Sequence, residues 1–351
     1  MRALTFKRYG KSPDIGFSEV PRPTLKADDL LVQVHAASVN PIDNTIPTGI
    51  FKPVLKFGLP ATLGSDLAGV VTEVGSRVTR FKVGDAVFAN IFDQGTGSIA
   101  EFAVVPESAA ALKPANLDFV QAASIPMVGL TSWQALKERM DLQPGQKVFI
   151  PAGSGGIGTF AIQFAKVLGA QVGTTTSTSN VELVRSLGAD EVVDYKKQAF
   201  ETVLHGYDAV LGTVKGDSIE KSMGILNARG KVVSLVGPLD VAFARARRLN
   251  AVMALVFALM SRKIMRLARR RSVDYAFMFV RPDGDKLPPI RDLIEAQRLP
   301  PGERGQAVDV GGGDRRADFL DVAGRQCAAE AVGQLQAGFL AMPGDQLLAQ
   351  F

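Results

Sequence analysis

The run Gly153-Ser154-Gly155-Gly156-Ile157-Gly158 sets three glycines at the spacing Gly-x-Gly-x-x-Gly. Ahead of it lies Lys147 to Pro151 (KVFIP), a short apolar strand, and behind it Ile157, Ala161, Phe164 and Leu168 recur at helical spacing. A strand that turns through glycines into a helix can cradle phosphate. In such a loop the first glycine permits a tight turn, the second lets the backbone approach a pyrophosphate, and the third allows close helix–strand packing. The helix N-terminus adds free N–H groups and the positive end of its dipole. The competing reading is a plain strand-to-helix turn. The strand before and the helix after favour a dinucleotide site on Gly153, Ser154, Gly155, Gly156, Ile157 and Gly158.

Which dinucleotide binds is a question of charge. A site for NAD offers Asp or Glu at the end of the second strand, about 20 residues on, to hold the ribose 2′-hydroxyl. Here that stretch reads Thr174 to Asn180 (TTTSTSN), with no acid before Glu182. A carboxylate there would repel a 2′-phosphate, whereas Ser177 and its hydroxyl neighbours, with Arg185, Lys196 and Lys197 nearby, would accept one. The expected cofactor is NADPH.

The elements that must hold this loop follow from rhythm. After Gly145, strands at Gln171 to Thr176, Glu191 to Tyr195, Asp208 to Val214 and Lys231 to Gly237 alternate with helices. Those helices are expected at Asn180 to Leu187, Ala199 to His205 and Ser218 to Asn227. Each parallel step needs a crossover, so the pattern is an α/β, doubly wound parallel sheet. Residues 1 to about 120 are instead β-rich, with Leu30 to Val39, Asp66 to Val74 and Lys82 to Ala89 as strands. A chain of 351 residues suits two domains, and 46% hydrophobic against 21% charged residues suits a packed core. No apolar run reaches bilayer length and the N-terminus does not resemble a signal peptide, so cytoplasmic residence is expected.

Scarce residues restrict the chemistry further. With Cys327 the single cysteine and His35 and His205 the only histidines, no internal disulfide can form, nor a zinc site of four cysteines or of two cysteines and a histidine, and counting leaves only a carboxylate-heavy site open. No metal site is expected. The net charge of +5 is local: nine basic residues and no acid lie between Val241 and Val273, which leaves the rest of the chain at −4. No nucleic-acid partner is expected from that distribution.

Several longer motifs carry a family likeness. They are AASVNPID (Ala36 to Asp43), LGSDLAGVVTEVG (Leu63 to Gly75), FKVGDAVFA (Phe81 to Ala89), AASIPMVGLTSWQAL (Ala122 to Leu136), AGSGGIGTFAIQFAKVLGA (Ala152 to Ala170) and SLGADEVVDY (Ser186 to Tyr195). Through them the chain, from Met1 to about Leu299, resembles the zinc-free quinone oxidoreductase and enone reductase branch of the medium-chain dehydrogenase/reductase superfamily. Zinc-dependent relatives carry a cysteine at the place of Asn40, and Gly-His-Glu at that of Gly64-Ser65-Asp66.

The resemblance implies a GroES-like β-rich catalytic domain over residues 1–122, a Rossmann domain over 123–273 and a return to the catalytic domain over 274–351. The active site would lie in the cleft between them. The resemblance also implies that Asn40 and Asp43 line the substrate pocket as candidate catalytic residues, with Asn40 a donor to the developing enolate. Thr131 would sit near the nicotinamide, Tyr195 near the 2′-phosphate, and Gly237 and Phe277 against the nicotinamide ring. The implied reaction is hydride transfer from NADPH to an enone or quinone, and homodimers are common among such enzymes. An alternative function of another class is dinucleotide binding without turnover, by a membrane-associated or structural partner protein.

Two segments stand apart from that likeness. Leu249 to Met260 is apolar and flanked by arginines, so it reads either as an amphipathic helix on an anionic membrane surface or as a helix packed over the substrate cleft. The packed helix is the preferred reading. From Pro301 to Phe351 there is no Ile, Thr, Ser, Tyr, Asn, Lys or His, while nine glycines and six glutamines appear. Strand formers are nearly missing where the family closes with a helix and a final strand. We expect residues 300–351 to be read in a shifted frame or to be otherwise non-native to the fold; the competing reading is a diverged but functional tail. Translating the gene in its other two frames after the codon for Leu299 should restore a Gly-Lys-Val-Val-like ending; failure in both frames would refute the idea.

Overall fold

A computed structural model of the chain describes residues 1–55 and 57–299, and the backbone of 307–309. Apart from that backbone, the expectation for residues 300–351 lies outside the described residues. The chain forms two compact units, one from Met1–Leu130 with Arg281–Gln297 and the other from Thr131–Val280.

The first unit opens with β1 (Arg2–Phe6), β2 (Ile15–Glu19), β3 (Asp29–Ser38), α1 (Pro41–Thr45) and β4 (Ala61–Thr62). It continues through β5 (Asp66–Val74), β6 (Ala86–Asn90), β7 (Phe102–Pro106), β8 (Ala110–Leu112) and α2 (Phe119–Ala123), and α3 (Pro126–Ser132) begins in it and ends in the second unit. All strand pairs are antiparallel. Strand β3 buries eight of its ten residues, as its run of Leu, Val and Ala requires. Register then does the positioning. Ser38 at the end of β3 faces Asp66 at the start of β5, and Asp66 faces Asn90 at the end of β6. Three polar residues from distant parts of the sequence thereby share one end of one sheet.

The second unit holds β9 (Lys147–Ile150), α4 (Gly156–Val167), β10 (Gln171–Thr176), α5 (Val181–Ser186), β11 (Glu191–Asp194) and β12 (Tyr207–Gly212). It is completed by α6 (Ser218–Ser222), β13 (Leu226–Ser234), α7 (Val241–Ala246), α8 (Ala251–Met260), α9 (Arg262–Arg270) and β14 (Asp274–Phe277). Its sheet is parallel throughout, in the order β11-β10-β9-β12-β13-β14. The chain winds outward in both directions from β9, so the order switches between β9 and β12, where such sheets bind ligands at the strands' carboxyl ends. The core gathers Phe149, Tyr207, Val210, Ile219, Val232 and Tyr275. Residues 281–297 return to the first unit with α10 (Leu287–Glu295), and β15 (Ala307–Asp309) pairs antiparallel with β3.

Several details depart from the sequence expectations. The helix expected at Ala199 to His205 is a single tight turn at Phe200–Thr202, and the one expected at Ser218 to Asn227 ends at Ser222. In both places a glycine follows closely, Gly206 in left-handed conformation (φ +75°) and then Gly224, and the short apolar runs suit either period. The second unit begins at Thr131 instead of residue 123, and it extends past residue 273 because β14 is the sixth strand of its sheet.

The basic segment is the crossover between β13 and β14, with Ile264 and Ala268 of α9 buried in the core cluster. Helix α8 was expected to pack its apolar surface. Instead Phe257 is its only fully buried residue, and Val252, Leu255, Val256 and Leu259 are exposed. Among the described residues no helix is long and apolar enough to cross a membrane.

Candidate functional site

In the second unit the glycine loop runs from the end of β9 into α4, and its residues divide the work differently from the expectation. The left-handed residue of the turn is Ala152 (φ 56°), not Gly153. Gly153 is instead pressed against β10: a Cβ there would collide with the Thr174 hydroxyl and come within 2.9 Å of Ile162 Cδ1. That hydroxyl is itself fixed, donating to the Ile150 carbonyl at 2.6 Å. A Cβ on Gly158 would meet the Ala152 carbonyl oxygen at 2.5 Å and Gly153 Cα at 2.7 Å, so the third glycine does permit close packing. Gly155 differs from both, because a Cβ there would meet only the Ala152 oxygen, at 3.3 Å.

What this arrangement can hold follows from its unsatisfied groups. Among the described residues the N–H groups of Gly156, Ile157 and Gly158 have no acceptor, while Thr159 N–H already donates to Gly155 O at 2.9 Å. Three free donors at the start of a twelve-residue helix form an anion cradle. The next strand supplies hydroxyls to it. Thr176 donates to Ser154 Oγ at 3.0 Å, Asn180 Nδ2 reaches Ser154 Oγ and Ser177 Oγ at 3.2 Å each, and Ser177 pairs with Ser179 at 3.2 Å. The residues present fit a dinucleotide phosphate.

The neighbouring strand end adds Tyr195, which is exposed and whose N–H donates to Thr176 O at 3.1 Å. Of the three cations the sequence offered, Arg185 pairs with Glu182 at 3.0 Å and Lys197 with Asp194 at 3.6 Å. Lys196 is exposed and has no carboxylate partner among the described residues. Asp194, one strand over, was overlooked in the sequence. It is held by the Thr178 hydroxyl at 2.6 Å and the Lys196 N–H at 3.0 Å, and these bonds keep its carboxyl below the usual range.

At the other side of the switch point, Thr213 donates to Pro151 O at 2.7 Å, tying β12 to the loop. Gly237 N–H donates to Ser234 Oγ at 2.6 Å just after β13, and a Cβ there would strike the Tyr275 hydroxyl. Phe277 ends β14, buried at 5.1 Å from Phe243 and 5.0 Å from Phe279, and its N–H is held by Asp240 at 3.0 Å. Gly237 and Phe277 thus sit on neighbouring strand ends. Thr131 is buried in α3.

In the first unit Asn40 caps α1 and joins a buried polar cluster. Asp66 accepts from Ser38 Oγ at 3.0 Å, Asn40 Nδ2 at 3.0 Å and Asn90 Nδ2 at 2.7 Å. Asp43 accepts from Asn40 N–H at 2.7 Å and Ser65 Oγ at 2.8 Å. Among the described residues neither carboxylate has a cation. Burial pushes Asp43 up to about 6 and Asp66 up to about 7, against the pull of the donors aimed at them. A small recess beside Asp43 is lined by Phe57, Gly64, Ser65, Phe92 and Thr96. Ser38 and Asn90 escaped the sequence reading because only strand register brings them to Asp66. The available signal was Asp66 itself, an acid at the head of an apolar run.

Two outcomes follow. Gly155→Ala should leave stability nearly unchanged yet abolish NADPH binding, whereas Gly158→Ala should cost ~1–3 kcal/mol through overpacking against backbone; cofactor fluorescence titration and urea unfolding separate them. Raised carboxyl pKa values mean that the folded chain holds protons the unfolded chain releases. The contribution of Asp43 and Asp66 is therefore full below about pH 4 and lost as pH rises through 6 and 7. Urea unfolding between pH 5 and 8 should show a fall in stability on the order of 1–4 kcal/mol from these groups, and Asp66→Asn should flatten it. An unchanged slope in the variant would disprove the assignment.

Comparison with known proteins agrees with this architecture. Residues 26–115 match the alcohol dehydrogenase GroES-like domain, and residues 187–304 match the zinc-binding dehydrogenase domain. The chain is 39% identical over 246 residues to the NADPH-dependent alkenal/one oxidoreductase, chloroplastic, of Arabidopsis thaliana, covering 68% of this chain and 63% of that relative's length. It is 37% identical over 249 residues to the chloroplast envelope quinone oxidoreductase homolog of the same plant, covering 68% of this chain and 76% of the relative. Among solved structures, the quinone oxidoreductase from Coxiella burnetii superposes with a TM-score of 0.72 at 28% identity, over 85% of this chain and 89% of that one. With a GroES-like unit, a six-stranded Rossmann sheet and these relatives, the chain belongs to the medium-chain dehydrogenase/reductase superfamily, in its quinone oxidoreductase and enone reductase branch.

Proposed function

We propose that the chain is an NADPH-dependent, zinc-independent reductase of α,β-unsaturated carbonyls or quinones. The observation that carries the reading is the cradle at the start of α4, three free N–H donors beside a strand end that bears hydroxyls and no carboxylate of its own. Relatives named as an NADPH-dependent alkenal/one oxidoreductase and a quinone oxidoreductase homolog support the reaction class.

In this reading Gly156, Ile157 and Gly158 hold the pyrophosphate. Ser177, Tyr195 and Lys196 surround the 2′-phosphate. Thr131, Gly237 and Phe277 flank the nicotinamide. When bound, NADPH supplies the hydride. As a hydride adds to the β-carbon of an enone, negative charge grows on the carbonyl oxygen, and a donor aimed there lowers the barrier. Asn40 is suited to that work. Its Nδ2 carries two hydrogens, Asp66 takes one, and the other is left for the substrate. Asp66 also fixes which way the amide points, since the flipped amide would set Oδ1 against a carboxylate.

Zinc independence is supported by chemistry in place. Asn40 and Ser65 stand where zinc-dependent relatives have cysteine and histidine, and each aims a donor hydrogen at a carboxylate, Asn40 at Asp66 and Ser65 at Asp43. Cytoplasmic location and a homodimeric state complete the proposal.

The test is NADPH oxidation against a panel of enones and quinones. Asn40→Ala should lower kcat about 10²-fold with NADPH affinity unchanged. Lys196→Glu should weaken NADPH about tenfold and leave NADH unaffected. Tight NADPH binding with no turnover of any substrate would overturn the reading.

A further inference from the structure

The exposed residues of α8 form a pattern, not a scatter. Val252, Leu255, Val256 and Leu259 follow one another at i, i+3, i+4 and i+7, a single stripe along the helix, and they are 68%, 61%, 39% and 61% exposed. Phe257, on the opposite side, is 4% exposed and seats the helix on the protein, 6.3 Å from Phe243. A helix that shows a continuous apolar stripe to solvent is unusual enough to need a reason.

Charge supplies one. Ser261 ends α8 and starts α9 without leaving helical conformation, donating to Phe257 O at 2.9 Å and accepting from Met265 N–H at 2.9 Å. Beyond it Arg262, Lys263, Arg266, Arg269, Arg270 and Arg271 are all exposed. Lys263 pairs with Glu220 at 3.3 Å. Among the described residues the five arginines have no carboxylate partner. Ile264 and Ala268 hold the inner side of α9 in the core, so those charges stand outward on a fixed helix. No acid lies anywhere from Val241 to Val273.

We propose that α8 and α9 form a docking surface for an anionic lipid bilayer, on which the enzyme rests peripherally. The stripe of α8 would enter the headgroup boundary, and the arginines of α9 would pair with lipid phosphates. Ten residues of α8 rise about 15 Å, which suits a helix lying in the interface and is half of what a span requires. The apolar stripe selects a surface with a hydrocarbon interior, and the outward-standing arginines select a negative one. A bilayer of acidic phospholipid offers both together. Catalysis is not altered by the docking; it brings the reductase to substrates that partition into lipid.

The test is sedimentation of the full chain with vesicles, either phosphatidylcholine alone or mixed with phosphatidylglycerol, at low and at high salt. The wild type should pellet with the mixed vesicles at low salt and bind at least about tenfold less to phosphatidylcholine or at high salt. The double variant Leu255→Glu/Leu259→Glu should lose binding about tenfold or more with unchanged NADPH oxidation and melting temperature. Arg266→Glu/Arg270→Glu should lose at least about fivefold for each arginine. The proposal fails if the wild type stays in the supernatant, if lipid charge makes no difference, or if both variants bind like the wild type. It also fails if light scattering shows a wild-type dimer that Leu255→Glu/Leu259→Glu splits, because the stripe is then an interface between two copies.

Discussion

The approach of Gly158 to the backbone of Ala152 and Gly153 sets the geometry on which the second unit depends. A helix that leaves a parallel strand must return over the sheet, and here it does so within one turn of the strand's end. The contact leaves no room for a Cβ on Gly158, and Gly153 has none to spare against Thr174. Because the first turn of α4 is held so close, its opening N–H groups project from the end of β9, beside the switch between β9 and β12. Thr174 and Thr213 then fix the loop from the strands on either side, through the carbonyls of Ile150 and Pro151. The cradle is therefore made by backbone, and side chains only hold it in place.

The first unit relies on a different constraint. Two carboxyls are buried with no cation beside them among the described residues, an arrangement whose desolvation would be prohibitive without dedicated donors. Asp66 receives three and Asp43 two, each from an element end: Ser38 from β3, Asn40 from the start of α1, Ser65 from just before β5, and Asn90 from β6. A satisfied cluster of this kind stabilises less than an apolar core of the same volume, yet it specifies orientation far better. The side chain that gains by it is Asn40, whose amide is held from one side and left half-exposed on the other.

Legibility in the sequence followed the range of the forces involved. The glycine loop, β9, β10 and β11 were readable because strand, turn and helix lie within a few residues and carry opposite periods. The order of the sheet was readable in class, since parallel steps demand crossovers. The cluster around Asp66 was only half readable. Asn40, Ser65 and Asp66 stood in recognised motifs, whereas Ser38 and Asn90 arrive through register across three strands. Strand β14 was missed as a member of the parallel sheet because four residues carry no period. The role of Gly153 was misassigned for a related reason: the left-handed turn falls on Ala152, which the glycine pattern does not mark. The exposure of α8 could not be read at all, because an apolar helix looks the same in sequence whichever face it buries.

The preference for a 2′-phosphate gains from a balance that sequence spacing alone does not express. Absence of an acid at the end of β10 is a negative argument, and Asp194 at the end of β11 would weaken it if its charge were free. Its position is close, since Thr176 and Asp194 are register partners. But its oxygens already serve the Thr178 hydroxyl, the Lys196 N–H and the Lys197 ammonium, so its field is spent locally on a turn. The ammonium of Lys196 is not spent in this way. Among the described residues, those around the hydroxyl-bearing end of β10 therefore present one uncommitted positive charge and one committed negative one. A 2′-phosphate meets a net attraction there, and a plain ribose hydroxyl finds no carboxylate free to accept its proton.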